Sequence, residues 1–488
     1  MFLTIRKAPL GEAEKKPPAR NLPGKGPAAP VAGSGAANAL NFTKRLMPVK
    51  KQGMNKKPAR LDLLARSAGA VLGMGIFFFA WAGAARPGEP VLAGFPAAGD
   101  YHSLVVDGSA NLWALGDNSF GQAGLGALPT ALYPVLVMKN VKTALVSHSS
   151  SYAISFDGTL WAWGDNREGL LGTGDTAARS VPEPLLGRVT GISVSGRHAL
   201  AVDESGAVWA WGENSFGQLG NASRGNSPVP VKVMEGASQA LACKGFSLAI
   251  GRENTLWAWG DNRSGQLGIT FPEESGRWMD KPHPVLSNVL KASGGEGHAL
   301  ALRTDDSLWA WGGNDSGQVG DGGFELRLAP VKIMDNIADM ACGPGHSLAL
   351  GRDGRLWGFG SNHYGQLGLG GVENTPKPML VLEEVDQIFE AETYSLALDK
   401  RARLWFMGFL SAPDGLGTEA VSSKTPQLVG EKVETAAAGA NHVLFIKEDG
   451  SLWGFGSNNF GELGVMPLEF MKKPVKISFQ RGKAETPQ

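Results

Sequence analysis

Trp-Ala-Trp-Gly-Glu-Asn-Ser-Phe-Gly-Gln-Leu-Gly, running from Trp209 to Gly220, is one rendering of a phrase that the chain repeats eight times. Its marker is a Leu or Val, then Trp, two residues and Gly, with the Trp at positions 113, 161, 209, 257, 309, 357, 405 and 453. Successive spacings are 48, 48, 48, 52, 48, 48 and 48 residues. A fixed period of this size marks units that stack and share one core.

One unit shows what the others repeat. Ser347 to Leu350 reads as a short strand, Asp353-Gly354 as a hairpin turn, and Leu356 to Gly360 as a second strand. A Gly-rich loop (Asn362 to Gly370) and a strand after proline (Met379 to Leu382) follow. Asp-Gly between apolar runs is a strong signal for a tight hairpin with positive φ, and it recurs at Asp107-Gly108, Asp157-Gly158 and Asp449-Gly450. A further strand such as Ile337 to Cys342 leads into the next unit, which makes about four strands per unit, the content of a propeller blade. Eight periods occupy 384 of the 403 residues from 86 to 488. The expected fold is therefore an all-β propeller of eight four-stranded blades, with seven blades and one irregular unit as the alternative.

The loop wording narrows this further. Trp209 to Gly220, Trp257 to Gly268 and Trp357 to Gly368, each after a His-Ser-Leu-type strand, resemble the regulator of chromosome condensation repeat. Kelch repeats carry a Gly-Gly doublet and WD repeats a Trp-Asp, so the wording separates the families. The resemblance spans about residues 90 to 478 and implies a propeller, commonly of seven blades. It also implies several activities, few of which transfer. The founding member is a nuclear exchange factor that docks on chromatin. Plant ultraviolet receptors of the family use Gly-Trp-Arg-His-Thr motifs, which this chain does not contain. A secreted bacterial member clamps β-lactamases with one propeller face.

Net charge is zero, but it divides sharply. Residues 1–66 hold 14 Lys or Arg against Glu12, Glu14 and Asp62, a balance of +11, so the remainder stands at −11. An acidic propeller repels phosphate backbones, and no nucleic-acid partner is expected. Ser67 to Ala85 is a run of 19 uncharged residues ending Ala82-Gly83-Ala84 behind a basic flank, the pattern of a secretory signal. A retained membrane anchor is the competing reading. Either way the expectation is export to the periplasm, the cell surface or the exterior. Residues 1–66 read as a disordered basic tail or an over-extended start, with Met1, Met47 and Met54 as candidate first residues, and 86–488 as the propeller.

Chemistry-bearing constellations are sparse. Five of eight histidines (His102, His198, His298, His346, His442) fill one position eleven residues before the marker Trp, and Ser150, Phe246 and Tyr394 fill it elsewhere. That is a packing or hydrogen-bonding slot, too dispersed for shared metal ligation. Asp117-Asn118, Asp165-Asn166 and Asp261-Asn262 lack the ligand run of a calcium loop and are expected to close loops by side-chain hydrogen bonds. Cys243 and Cys342 read as buried free thiols at one repeat position. No catalytic residue, cofactor or metal site is expected. Asn221-Ala222-Ser223, Asn262-Arg263-Ser264 and Asn314-Asp315-Ser316 match a weak glycosylation pattern.

Departures from the repeat are where a specific function belongs. Of 14 tryptophans, eight are markers, Trp163, Trp211, Trp259 and Trp311 are their partners two residues on, and Trp81 lies in the export segment. Only Trp278 is left, in the stretch Thr270 to Pro284 that carries the four extra residues of the 52-residue spacing, with Arg277 and Met279 beside it. Trp, Arg and Met concentrate interface energy, so Arg277, Trp278 and Met279 are the candidate partner-binding residues. The unit of Trp405 loses the Asn-x-x-Gly-Gln loop. The expected function is a monomeric, non-enzymatic platform for a protein partner or a cell-envelope component. A lyase or hydrolase at the channel mouth and an exchange-factor-like regulator are the alternatives.

Overall fold

The computed structural model describes residues 95–270, 277–413 and 419–479; the expected basic tail or over-extended start (1–66) and signal or anchor segment (67–85) lie outside them. Thirty-two strands form eight four-stranded antiparallel sheets, each from four consecutive strands, arranged as an eight-bladed propeller. Blade 1 comprises β1 (Phe95–Ala98), β2 (His102–Val106), β3 (Asn111–Asp117) and β4 (Thr130–Lys139). Blades 2 to 8 occupy 141–186, 189–234, 239–286, 289–334, 337–382, 385–431 and 433–477. The seven-blade alternative is excluded, since every marker Trp lies on the third strand of its own blade.

Alternation along the strands explains the stacking. Each blade buries both faces, and the structure has eight apolar clusters, one per blade-to-blade interface. Ala97, Leu104, Val146 and Trp163 join blades 1 and 2, and Ala98, Leu115, Ala437 and Leu444 join blade 1 to blade 8. The ring thus closes by packing, with no strand exchanged across the seam. Every fourth strand carries proline, as at Pro134, Pro228, Pro330 and Pro474, inside the strand rather than ahead of it. A proline on the outer edge removes a donor and blocks pairing with another sheet.

The partner tryptophans, not the markers, are the buried ones. Trp163, Trp211, Trp259 and Trp311 are fully buried, whereas all eight markers are half-buried. At six of the eight markers (Trp113, Trp161, Trp209, Trp309, Trp405 and Trp453) the indole N–H donates to the turn before it, at 2.8 Å to Asp107, 2.9 Å to Asp203 and 2.9 Å to Asp399 among them. Those turns differ from the two-residue hairpin expected. In three of the four Asp-Gly pairs only the glycine has positive φ (Gly158 81°, Gly354 85°, Gly450 74°), closing a three-residue loop. The Asp carboxylate accepts from the backbone N–H two residues on, as in Asp353 to Arg355 at 3.0 Å, which holds the Asp itself right-handed. At Asp107-Gly108 the left-handed residue is Ala110.

The Gly-rich loops lock blade to blade. Within a loop, Asn Oδ1 accepts from the N–H five residues on (Asn214 to Leu219, 2.9 Å) and Gln Oε1 from the N–H two residues back (Gln218 to Phe216, 2.9 Å). This is the loop-closing role expected of the asparagines. The rigid loop then offers its Gln main-chain carbonyl to the next blade. Gln218 O accepts from Ser247 Oγ at 2.7 Å and Trp259 Nε1 at 2.8 Å; Gln122 O accepts from Ser151 at 2.7 Å and Trp163 at 2.9 Å.

The histidine slot completes the lock as a hydrogen-bonding position. His102, His198, His298, His346 and His442 meet Ser151, Ser247, Ser347, Ser395 and Ser103 of the following blade at 2.7–3.2 Å. Where the slot holds Ser150, Phe246 or Tyr394, the facing residue is Ala199, Ala299 or Val443, so the slot-to-serine bond is absent; Ser150 donates instead to the Asp165 carbonyl of its own blade at 2.7 Å, and Tyr394 to the Gly439 carbonyl of blade 8 at 2.6 Å. Ser151, Ser247, Ser347 and Ser103 direct their protons at carbonyls, so the facing histidines donate through Nε2–H and are neutral.

Cys243 and Cys342 are free and buried, and burial pushes both thiols up. They are not equivalent, as the sequence reading has it. Cys342 pairs with Ser347, but in blade 4 it is Ala242 that pairs with Ser247, one residue before Cys243.

Burial holds His102, His198, His298 and His442 down to about 3 and His346 to about 4. Below pH 6.5 the unfolded chain protonates these rings while the native ring does not. Each then subtracts about 1.4 kcal/mol of stability per pH unit as pH falls toward those values. Melting curves should therefore drop steeply between pH 6.5 and 4, and a His298→Phe, Ser347→Ala variant should show a shallower drop. A pH-independent melting temperature across that window would contradict the neutral-histidine lock.

Candidate binding face

Antiparallel order sends the turns between first and second strands and the long loops between third and fourth strands to the same face. The first-to-second turns bring one repeat position to the channel: Asp100, His148, Gly196, Lys244, Glu296, Pro344, Glu392 and Ala440, each two residues before the histidine slot. While the scaffold positions repeat, this column is chemically mixed. Lys244 pairs with Glu296 at 2.6 Å. Burial raises Asp100, offset by His148, and raises Glu392, with Glu296 adding to it and Lys244 opposing. On the inner strand of blade 7, burial pushes Glu390 up to about 8.

A cavity of about 1070 Å³ opens at this face, with walls from blades 2 to 7. Around it runs a crown of aromatic contacts between consecutive loops. Arg167 of blade 2 lies 5.6 Å from the Phe120 ring of blade 1, and Arg263 of blade 4 lies 4.3 Å from Phe216 of blade 3. Tyr364 stacks on Phe409 at 6.0 Å, and Tyr101 meets Phe460 edge-on at 5.1 Å. Phe120, Tyr364 and Phe460 are 46%, 49% and 41% exposed, so the rings are held rather than buried.

Trp278 stands at the rim of this face, not within a loop. It opens the outer strand of blade 4 opposite Asp261, as Thr130 does opposite Asp117, so the extra residues precede it. Residues 271–276 of the insertion lie outside the described residues. Arg224 from the blade 3 loop lies 4.9 Å over its ring. Arg277 is exposed beside it, while Met279 packs half-buried against the cores on both sides of blade 4 and so serves the scaffold. In blade 7 the lost loop is replaced by a longer third strand, Arg403–Ser411, paired to Ala420–Glu431.

The His–Ser pairs have the spacing of a nucleophile and base, but both members are buried and four of the serine protons face carbonyls. Among the described residues no group of His, Cys, Asp or Glu is arranged to hold a metal ion. Asn262 and Asn314 of the glycosylation pattern are buried in their loops.

Sequence reasoning passed over the crown and the channel column. Both are visible in it as repeat positions: Phe120, Phe216, Tyr364 and Phe460 share one column, and the residues from Asp100 to Ala440 share another.

Comparison with known proteins fits this architecture. No curated protein sequence matches the chain. Solved structures similar to it include human WBSCR16 (20% identity, TM-score 0.53, covering 66% of this chain and 94% of that one). Another is Prp20p of Saccharomyces cerevisiae, described with its binding to Gsp1p and histones (22%, TM-score 0.52, 76% and 86%). A third is yeast RCC1 (Prp20) bound to Kap60 (20%, TM-score 0.52, 88% and 92%). These likenesses establish the fold alone. The family model described as the regulator of chromosome condensation (RCC1) repeat matches residues 157–202, 205–249, 253–302, 305–350 and 353–398. A second model of the same repeat matches 189–218, 289–318, 337–366 and 433–462. With matches over more than half its length, on the residues that build the loops and locks above, the chain belongs to the RCC1 repeat family.

Proposed function

We propose that this protein is a non-enzymatic protein-binding platform, exported from the cytoplasm, that engages its partner with the crowned face. The observation that carries the reading is the crown itself. Four aromatic side chains at one repeat position are each braced by an Arg or aromatic residue of the neighbouring blade. Rings already fixed in place lose little entropy on binding, and Tyr, Trp and Arg dominate interface energetics. Trp278 and Arg224 extend the same chemistry to the rim. Proteins named with related propellers, Gsp1p, histones and Kap60, agree with a protein as the ligand class. Export rests on the Ser67 to Ala85 pattern.

The test is a pull-down from the native envelope or extracellular fraction, with N-terminal sequencing of the bait recovered there. A start near Ala85 or Arg86 is expected. Phe120→Ala with Phe460→Ala, and separately Trp278→Ala, should each weaken capture by about 2 kcal/mol or more, the scale of an interface hot spot, without lowering the melting temperature. Capture indifferent to both variants would overturn the face assignment, and recovery of Met1-initiated protein only from cytosol would overturn export.

A further inference from the structure

The cavity under the crown carries an imbalance of charge. Its four basic residues are each paired: Arg167 with Asp165 at 2.5 Å, Arg263 with Asp261 at 2.9 Å, Lys244 with Glu296 at 2.6 Å, and Arg197 with Glu213 at 3.7 Å. Three carboxylates on the same walls, Glu168, Asp315 and Glu392, form no ion pair among the described residues, Lys244 acting on Glu392 only as a Coulombic neighbour. Glu168 accepts only from the Asn226 amide at 2.5 Å. At the same wall the buried Nδ1 of His148 has no hydrogen-bond partner. The cavity therefore holds more negative charge than its own cations neutralise, and a cleft lined by one sign of charge concentrates the field.

The surrounding sector has the same sign. In blades 6, 7, 8 and 1, the described first-to-second turns and third-to-fourth loops contain no Lys or Arg, yet they contain Asp100, Glu373, Glu392, Glu419, Glu462 and Glu469. Lys377, Lys424, Lys472 and Lys473 of these blades lie on the outer strands, at the rim. The exposed rings of Tyr364 and Phe460 border this sector, and a cation over an aromatic face gains further attraction.

We infer that the cavity receives a lysine- or arginine-bearing segment of the protein partner, its cationic side chains taken up by Glu168, Asp315 and Glu392. This rests on the platform reading and names the chemistry of the segment that enters.

The probe is a fluorescein-labelled peptide of alternating lysine and glycine, with a glutamate–glycine peptide as its opposite, titrated with the propeller by anisotropy at low and high salt. The lysine peptide should bind, weaken with salt, and lose about tenfold or more in affinity to a Glu168→Gln, Asp315→Asn, Glu392→Gln variant, in line with the cost of removing interfacial charge partners. Glu204→Gln, Glu253→Gln, Glu448→Gln, which changes the opposite face, should bind as the parent does. Melting curves establish that the variants fold, and Glu392→Gln alone should show a smaller loss in the same direction. No binding of the lysine peptide, equal binding of the glutamate peptide, or undiminished binding by the cavity variant would overturn the inference. Partner capture that still depends on Phe120 and Phe460 in that event would leave the platform reading standing.

Discussion

In six of the blades, one main-chain carbonyl of the Gly-rich loop, that of Gln122, Leu170, Gln218, Gln266, Gln318 or Glu462, governs how this ring is assembled. It accepts from a buried serine, a buried tryptophan or both in the next blade, as Gln122 and Gln218 do from Ser151 with Trp163 and Ser247 with Trp259. Leaving such a group unpaired in the interior would cost roughly 1–3 kcal/mol. Asn and Gln side chains inside the loop hold that carbonyl in position. A histidine from the loop's own blade then donates to the serine, as His198 does to Ser247 at 2.9 Å. The seam between blades 8 and 1 uses the same parts: Ser103 meets His442 at 2.7 Å and the Glu462 carbonyl at 2.8 Å. With the first described strand in blade 1 and the last in blade 8, the ring closes without a shared sheet because this junction copies the others.

The lock also explains why the crowned face is free to vary. Structural demands fall on the slot histidine, its serine, the Asn and Gln of the loop, and the glycines. Gly212 and Gly360 show why the last group is fixed: φ near 100° and a Cβ that would come within 2.6 Å of a neighbouring carbonyl admit nothing larger. Residues two before the slot, and the two following Asn in the loop, bear none of these contacts, so charge and aromatic character can change there without loosening the ring. The aromatic crown and the carboxylate-rich cavity occupy those positions.

Much of the fold was readable in the chain because period and strand content are local. Eight marker tryptophans at steps of 48, one of them 52, give blade number, and alternating apolar runs give four strands each. What escaped depends on contacts between blades. The match of His102 with Ser151, and of Phe246 with Ala299, lies 49 and 53 residues apart and has meaning only once consecutive blades face one another. Trp278 looked like part of a loop because register, not composition, sets where an outer strand begins. Asp353-Gly354 forms a three-residue turn since its carboxylate reaches the backbone beyond, a preference that the dipeptide alone does not reveal. The cavity imbalance needed the ion pairs of four blades to be known before the remaining carboxylates stood out.

The most direct measurement of the blade-to-blade lock is a double-mutant cycle on His298 and Ser347, which meet at 2.9 Å in the interior between blades 5 and 6. Unfolding free energies of His298→Phe, Ser347→Ala and the pair, taken at pH 8, give their coupling. The account predicts that the double variant is less destabilised than the sum of the singles by about 1 kcal/mol or more, as Phe246 and Ala299 already coexist one junction earlier. Strict additivity would contradict it, showing that the histidine and serine are packed side by side without holding the blades together.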